Sequence, residues 1–303
     1  MSGPRIKACR RRHRMLDGGK GKHKQRDKAN RDDDRSLPLA HTLRRALKGL
    51  KGWDFAASFE SVRKSIGCKR RHMLMDVESL KQEAGIAACA YVHGGMKVGL
   101  GTGSTVKYTI IELGRRVTEE GLDIVGVPTS IATRDLAIEV GITLAPLDEL
   151  SHLDVVIDGT DEFDPSFQLI KGGGAALLRE KIVAQSARRM VVVADDRKQV
   201  SCLGAFPLPI EVTSFSMGTT KRAIEACLDC KATVRMDGDE PLLTDNGNHI
   251  IDAHTGPSIE DPEATERQLL NIAGVVQVGL FNNMCDVVVL ASSGGVTVLS
   301  KDD

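Results

Sequence analysis

From Val77 onward, apolar runs of strand length alternate with stretches whose apolar residues recur at helical spacing. That alternation marks βαβ units built on a parallel sheet. Residues 77–93 read as a helix, 96–100 (MKVGL) as a strand, and 104–119 as a helix after a glycine loop. A strand at 123–127, a helix at 131–140 closed by Gly141, a strand at 153–158 (LDVVID), a helix at 175–187 and a strand at 189–195 (RMVVVAD) follow. The strand at 153–158 is a continuous apolar one, as expected where both faces of a sheet are covered. After Gly204 the rhythm changes. Strands at 207–212, 231–236, 249–254 and 275–280, with helices near 218–228 and 262–272, give the order β-α-β-β-α-β, a split ferredoxin-like arrangement. The apolar run 286–292 (DVVVLAS) is expected to rejoin the first sheet. The predicted fold is therefore α/β: a Rossmann-like parallel-sheet domain (73–205 plus 281–303) with an inserted smaller α+β, ferredoxin-like domain (206–280).

Charge changes the picture for the first 72 residues. They hold 22 Lys and Arg against 7 acids, whereas residues 73–303 hold 19 against 34, so the formal net charge of zero conceals two unlike segments. The basic segment is poor in apolar residues and is expected to be disordered, because it cannot bury enough surface to offset chain entropy. Asp32, Asp33 and Asp34 and the shortage of serine argue against a transit peptide. A basic arm suits nucleic acid, but 39–66 do not spell a helix-turn-helix: Gly49, Gly52 and Trp53 interrupt it. The preferred reading is a dispensable extension, or an upstream start ahead of Met73 or Met75; nucleic acid and membrane are not the expected partners. No apolar run approaches the roughly 18 to 20 residues that cross a bilayer. Seven scattered cysteines suit reduced thiols and a cytoplasmic setting.

Ligands of open α/β sheets bind beyond the carboxyl ends of the strands, and several such ends are rich in chemistry. GLGTGST (99–105) joins a strand to a helix. Its glycines admit close backbone approach, the helix start offers free N–H donors, and Thr102, Ser104 and Thr105 add hydroxyls around Gly103: a phosphate cradle. It lacks the spacing of a Walker loop and the third glycine of a dinucleotide fingerprint. The plain alternative is a tight turn with Ser104 as helix N-cap. DGTDEFD (158–164) sets Asp158, Asp161, Glu162 and Asp164 at the end of the most apolar strand; such a cluster needs a cation or a proton to offset repulsion, and the calcium-loop pattern is not matched. IKGGGAALLREK (170–181) places Lys171 before three glycines. Glu180 shares a helix face with Ala176, Leu177, Val183 and Ala184 while Arg179 and Lys181 point elsewhere. A buried carboxyl there has a raised pKa, as suits a base working near neutrality; the alternative, a glutamate paired with a lysine, is compatible if Lys171 is near. Lys198, after the strand 189–195, is a candidate phosphate partner. His249, Asp252 and His254 give at most two ligands on one strand face, too few for zinc, and Cys227 and Cys230 read as packing thiols.

In order, GLGTGST, DGTDEFD, KGGGAALLREK, ADDRKQV, FPLPIEV, TDNGN and GVVQVGLF resemble the ribose-5-phosphate isomerase A family, from about Glu78 to Leu299. The resemblance implies an aldose–ketose isomerase that interconverts ribose 5-phosphate and ribulose 5-phosphate, without metal or other cofactor, as a homodimer or homotetramer. It implies that Lys81, Thr102, Gly103, Ser104, Thr105 and Lys198 hold the phosphate and that Glu180 moves a proton between the first two carbons. Asp158 would assist ring opening, and Asp161 and Lys171 would manage protons and charge at the sugar oxygens. Thr160 and Asp164 occupy the variable positions of the acidic motif. The residues agree: triosephosphate isomerase solves the same problem with a glutamate base, and a metal-assisted hydride shift would need a His and carboxylate cluster that this chain lacks. The rivals are a non-catalytic sugar-phosphate regulator with a basic nucleic-acid-binding arm, which has no use for a buried Glu180, and an amino-sugar phosphate deaminase, which the ordered motif set disfavours.

Overall fold

The computed structural model describes residues 77–301; expectations for the basic extension lie outside that range. A first helix, α1 (77–88), leads through a 3-10 turn (Cys89–Tyr91) to β1 (Lys97–Leu100). Then come α2 (Val106–Glu120), β2 (Val125–Pro128), α3 (Ile131–Glu139), β3 (Thr143–Leu144) and β4 (Val155–Gly159). Two short strands, β5 (Glu162–Phe163) and β6 (Leu169–Ile170), precede α4 (Leu177–Gln185) and β7 (Met190–Asp195). The chain next builds β8 (Leu208–Val212), α5 (Met217–Leu228), β9 (Ala232–Val234), the hairpin β10 (Met236–Asp237) and β11 (Glu240–Pro241), β12 (His249–Ala253), α6 (Pro262–Leu270) and β13 (Val275–Val278). It closes with β14 (Leu280–Phe281), β15 (Val287–Ser292) and β16 (Gly295–Ser300).

The large sheet runs β16-β15-β7-β4-β1-β2-β3 and is parallel apart from β16. β1 therefore lies between β2 and β4, where the strand order reverses, so the carboxyl ends of β1 and β4 open the crevice in which doubly wound sheets bind ligands. The alternating faces explain why the strands read as unbroken apolar runs. Val155, Ile157, Val191 and Val193 pack toward α1, α2 and α3 with Ala84, Ile110 and Leu113; Val156 and Val192 pack the other way with Leu177, Val183 and Phe281. At roughly 1.5–3 kcal/mol for each large apolar side chain withdrawn from water, these layers hold the strand ends rigid.

The second, four-stranded sheet has the order β13-β8-β12-β9, antiparallel throughout, with its own core around Ile210, Ile251, Ile224 and Leu269. That is the split arrangement expected from the β-α-β-β-α-β order. The 275–280 strand divides at Gly279, where an added Cβ would meet the Lys171 carbonyl oxygen at 2.3 Å. β14 then pairs with β6 and returns the chain to β15, which joins β7 in parallel as expected. β16, the hairpin β10–β11 and the short strands β3, β5, β6 and β14 were not anticipated. No described helix is long and apolar enough to cross a membrane.

Candidate functional site

Two cavities differ in chemistry. The larger, about 710 Å³, is lined mainly by apolar residues, including Val127, Ile138, Ile142, Leu144 and Ile182, and no carboxylate faces it. The smaller, about 190 Å³, lies beyond the carboxyl ends of β1, β4 and β7 and is lined by Lys81, Gly103, Ser104, Thr105, Asp161, Lys171, Glu180 and Lys198, among others. The ionisable groups converge there, so chemistry rather than size selects it.

The glycine loop after β1 is tied to β4 by the Gly101 amide, which donates to the Ile157 carbonyl at 3.0 Å. A Cβ on Gly101 would sit 2.2 Å from Asp158 Oδ1, so only glycine fits. Gly103 turns at φ +127°, which delays the helix to Val106, two residues later than its expected start. Thr105 is the N-cap residue and makes no side-chain cap, so the Ser104 cap does not form. Among the described residues, the amides of Gly103, Ser104 and Thr105 meet no acceptor. Thr102 lines the cavity, but its hydroxyl bonds with Thr129 (2.7 Å) and Ser130 (2.9 Å) and its amide donates to Asp158. Lys81 reaches the rim from α1, paired with Glu78 at 3.3 Å. Lys198 arrives from the turn after β7, its ammonium 6.0 Å from the centre of the Phe206 ring.

The four acids at and beyond the end of β4 separate into four tasks. Asp158 is fully buried behind the cavity lining; its Oδ1 accepts from the Thr102 and Gly159 amides, and its Oδ2 lies 3.0 Å from Lys171 Nζ. Asp161 faces the cavity and accepts from the Gly173 amide at 2.7 Å. Glu162 turns inward to accept the Gly204 and Phe206 amides. Asp164 caps a turn through the Ser166 and Gln168 amides.

Lys171 is buried and central. Its ammonium donates to the Gly159 carbonyl at 2.7 Å and stands 3.0 Å from Asp158 and 3.2 Å from Glu180. Neither Asp158 Oδ2 nor Glu180 Oε2 has an aligned hydrogen-bond donor. Burial pulls the lysine's pKa down, but the two carboxylates outweigh it and the net direction is up, so the ammonium stays charged. Glu180, in the first turn of α4, moves the other way: burial first, then the Asp158 charge, lifts it to about 8 against the pull of Lys171. Asp158 is also raised, chiefly by burial. One ammonium between two desolvated carboxylates favours retention of one proton by the pair, which titrates as a unit.

Arg179 points away from this group toward Asn246 and the Asp245 carbonyl, as its expected position implied. Lys181 also points elsewhere but is buried, not free. It bonds with Glu266, Gln277 and the Val278 carbonyl because α4 is covered a second time by the small sheet. Sequence reasoning passed over Arg197, which lines the cavity and is held by the buried Asp195 through Nε (2.7 Å) and Nη2 (3.0 Å); its place one residue before Lys198 was the available signal. Burial alone would raise Asp195, but the guanidinium keeps its pKa below the usual carboxylate range. Asp252 pairs with Arg235, His254 with Thr233 and His249 with the Leu242 carbonyl, so these three do not form a ligand set. No cluster of three or more metal-ligating side chains occurs among the described residues.

The comparisons accord with this geometry. A family model described as "Ribose 5-phosphate isomerase A (phosphoriboisomerase A)" matches residues 125–295. A ribose-5-phosphate isomerase A of Roseobacter denitrificans is 49% identical over 228 residues, 73% of this chain and 87% of the relative. The solved ribose 5-phosphate isomerase A of Methanocaldococcus jannaschii superposes with a TM-score of 0.70 at 39% identity, covering 74% of this chain and 99% of that one. A D-ribose-5-phosphate isomerase solved in complex with phospho-erythronic acid gives a TM-score of 0.72 at 41% identity, covering 74% and 99%.

Proposed function

The chain belongs to the ribose 5-phosphate isomerase A family, and on that premise we propose how its residues carry out the aldose–ketose isomerisation of ribose 5-phosphate and ribulose 5-phosphate. The observation that carries the reading is Glu180: a buried carboxyl with its pKa near 8 and an oxygen lacking an aligned donor, on the wall of a cavity that also presents open amides and lysines.

The phosphate docks on the amides of Gly103, Ser104 and Thr105, their two hydroxyls, Lys81 and Lys198. Oriented N–H groups at a helix start favour an anion, and binding energy won at this remote group orients the reacting carbons. Thr102 shapes the loop more than it grips the anion, since both of its donors are engaged. Glu180 takes the proton from C2 of the aldose and returns it to C1, through an enediolate. Lys171 and Asp161 stabilise charge and shuttle protons at the two oxygens, and Asp158 assists ring opening through Lys171, whose charge it sustains. Fixed charges in a desolvated site act on the enediolate without reorganisation.

The test is an isomerase assay with ribose 5-phosphate on the purified full chain and on Glu180→Gln. General-base loss is expected to lower kcat by about 10²- to 10⁴-fold, with KM changed little because the phosphate contacts remain. Near-wild-type turnover in the variant would refute the assignment. The relative solved with phospho-erythronic acid suggests a second measurement, because the carboxylate of that acid has the planar, two-oxygen shape of an enediolate. It is expected to inhibit this chain competitively and to bind more tightly than substrate.

We further propose a homodimer or homotetramer working in the cytoplasm. Ile138 and Ile182 are exposed beside the short edge strand β3, and apolar surface of this kind suits a protein contact.

A further inference from the structure

We propose that Arg235, clamped by Asp252, is a positioning residue for the isomerase reaction: it holds the glycine loop so that two backbone N–H groups point into the site. The inference rests on the isomerase reading above.

The glycine loop 172–174 has no side chains with which to fix itself, and glycine has the widest backbone freedom of any residue. Its conformation is nonetheless constrained. Gly172 sits at φ +107°, packed against Leu177 and Pro209. The Gly172 carbonyl accepts the Ala175 amide at 2.9 Å within the loop, and the small sheet adds a second hold that reaches both of the following peptide planes. Arg235, between β9 and β10, donates from Nη1 to the Gly172 carbonyl at 2.7 Å and to the Gly173 carbonyl at 3.0 Å. The other side of the guanidinium is occupied by Asp252 of β12, at 2.9 Å from Nε and with a second bond from Nη2. The backbone of Arg235 is itself tied in both directions, its amide to Ile250 and its carbonyl to Leu242. The fork is therefore rigid, and its charge is neutralised where it stands. What it transmits to the loop is geometry more than field.

In a trans peptide the C=O and N–H point in opposite directions. Fixing the Gly172 carbonyl on Arg235 turns the Gly173 N–H away from it, and there the Asp161 carboxylate accepts it at 2.7 Å. Fixing the Gly173 carbonyl does the same for the Gly174 N–H. That amide has no acceptor among the described residues, and Gly174 lines the cavity. One guanidinium thus sets two donors: the first orients Asp161, and the second is free for a substrate oxygen. Planar, forked donors suit this work in a way a lysine ammonium does not.

The test uses the full chain, with wild type, Arg235→Ala, Arg235→Lys and Asp252→Asn assayed side by side for kcat, KM and Tm. Misplacing catalytic groups by about an ångström costs on the order of 10²-fold, so Arg235→Ala is expected to lose about ten- to a hundredfold in kcat. KM should stay within about threefold, because the phosphate contacts lie on the other loop. Arg235→Lys should recover part of the loss, and Asp252→Asn should lower kcat without raising KM. The acid limb of the pH profile should stay nearly in place in all three, since burial, Asp158 and Lys171, which act on Glu180 more than Asp161 does, are not held by Arg235. Folded Arg235→Ala with kcat within about threefold of wild type overturns the proposal, as does a loss of activity that merely tracks the unfolded fraction. If Arg235→Ala does not fold, Asp252→Asn is judged on the same criteria; failure of both to fold overturns it in favour of a structural role. An inactive wild type would instead reject the isomerase reading itself.

Discussion

At the scale of single residues, the pKa of Glu180 makes two linked predictions. A general base must be ionised, so kcat/KM for the free enzyme should rise with pH through a limb centred near 8; a profile flat from mildly acid to alkaline pH would contradict the assignment. The same shift acts on stability. The folded value lies above the ordinary 4.5, so the folded state holds this proton more tightly than the unfolded chain. Its contribution to stability is complete below pH 4.5 and is lost as pH rises through about 8. Glu180→Gln, which cannot ionise, should therefore have the higher Tm, by a margin that widens from pH 4.5 to about 8 and then levels off. Calorimetry across that range checks it, and a Tm below wild type at pH 8 would show that the ion pair with Lys171 matters more than burial. If both outcomes hold, activity and stability pull apart at this side chain, as they often do where function requires a strained or desolvated group. Glu180 was legible in the sequence because its neighbours at three and four residues are apolar. The separation of Asp158, Asp161, Glu162 and Asp164 was not legible: four acids in a row of seven look alike until the turn after β4 sends each to a different donor.

At the scale of elements, α4 shows why periodicity located some groups and misjudged others. Adjacent residues 179, 180 and 181 serve three surroundings: a salt link to Asp245, the polar cavity beyond the strand ends and the small sheet. A periodic pattern assumes one buried face, whereas α4 is covered on two, so Lys181, which points away from the apolar stripe, is nonetheless buried, with its side chain only 2% exposed. Lys181→Ala would remove the donor to Glu266 Oε1, Gln277 Oε1 and the Val278 carbonyl, while Glu266 Oε2 keeps its bond from Asn282. Breaking a buried pair in this way costs about 3 kcal/mol or more, which for a chain of this size lowers Tm by roughly 10 °C. Activity per folded molecule should be unchanged, because Lys181 does not line the cavity. A fall in kcat at unaltered Tm would sink that division of labour. The parallel strands were legible for a related reason. The stretches 155–157 and 190–194 within those strands are apolar at every position, as a sheet covered on both faces requires. β5, β6 and β14 have two residues each, too short to show any period, and β16 is an outer strand with a largely exposed face.

At the scale of the whole molecule, the residues proposed for binding, catalysis and positioning run from Lys81 to Asp252 and draw on both sheets. Lys81 belongs to the first helix, the phosphate loop and Glu180 to the elements flanking β1 and β4, and Arg235 to the small sheet. The glycine run marked the loop and apolar helical spacing marked Glu180, whereas Lys81 came only from the family resemblance. Arg235 did not stand out: its partners, Gly172, Gly173 and Asp252, meet it only after the small sheet has folded against the large one. That arrangement bears on the basic segment. Every group assigned to the site, including Lys81, lies at or beyond residue 77, and the described range itself holds three hydrophobic clusters that pack the strands. A fragment beginning at Met73 should therefore fold, show a cooperative transition within a few degrees of the full chain's Tm, and retain kcat and KM to within about twofold. The basic segment, if it acts, should act by placing the enzyme: the full chain would then be retained on polyanionic supports at low salt and the fragment would not, since such attraction is screened as salt rises. Loss of isomerase activity on truncation would mean that residues 1–72 complete the site or its assembly, and would require phosphate or carbon contacts beyond those of α1, the glycine loops and α4.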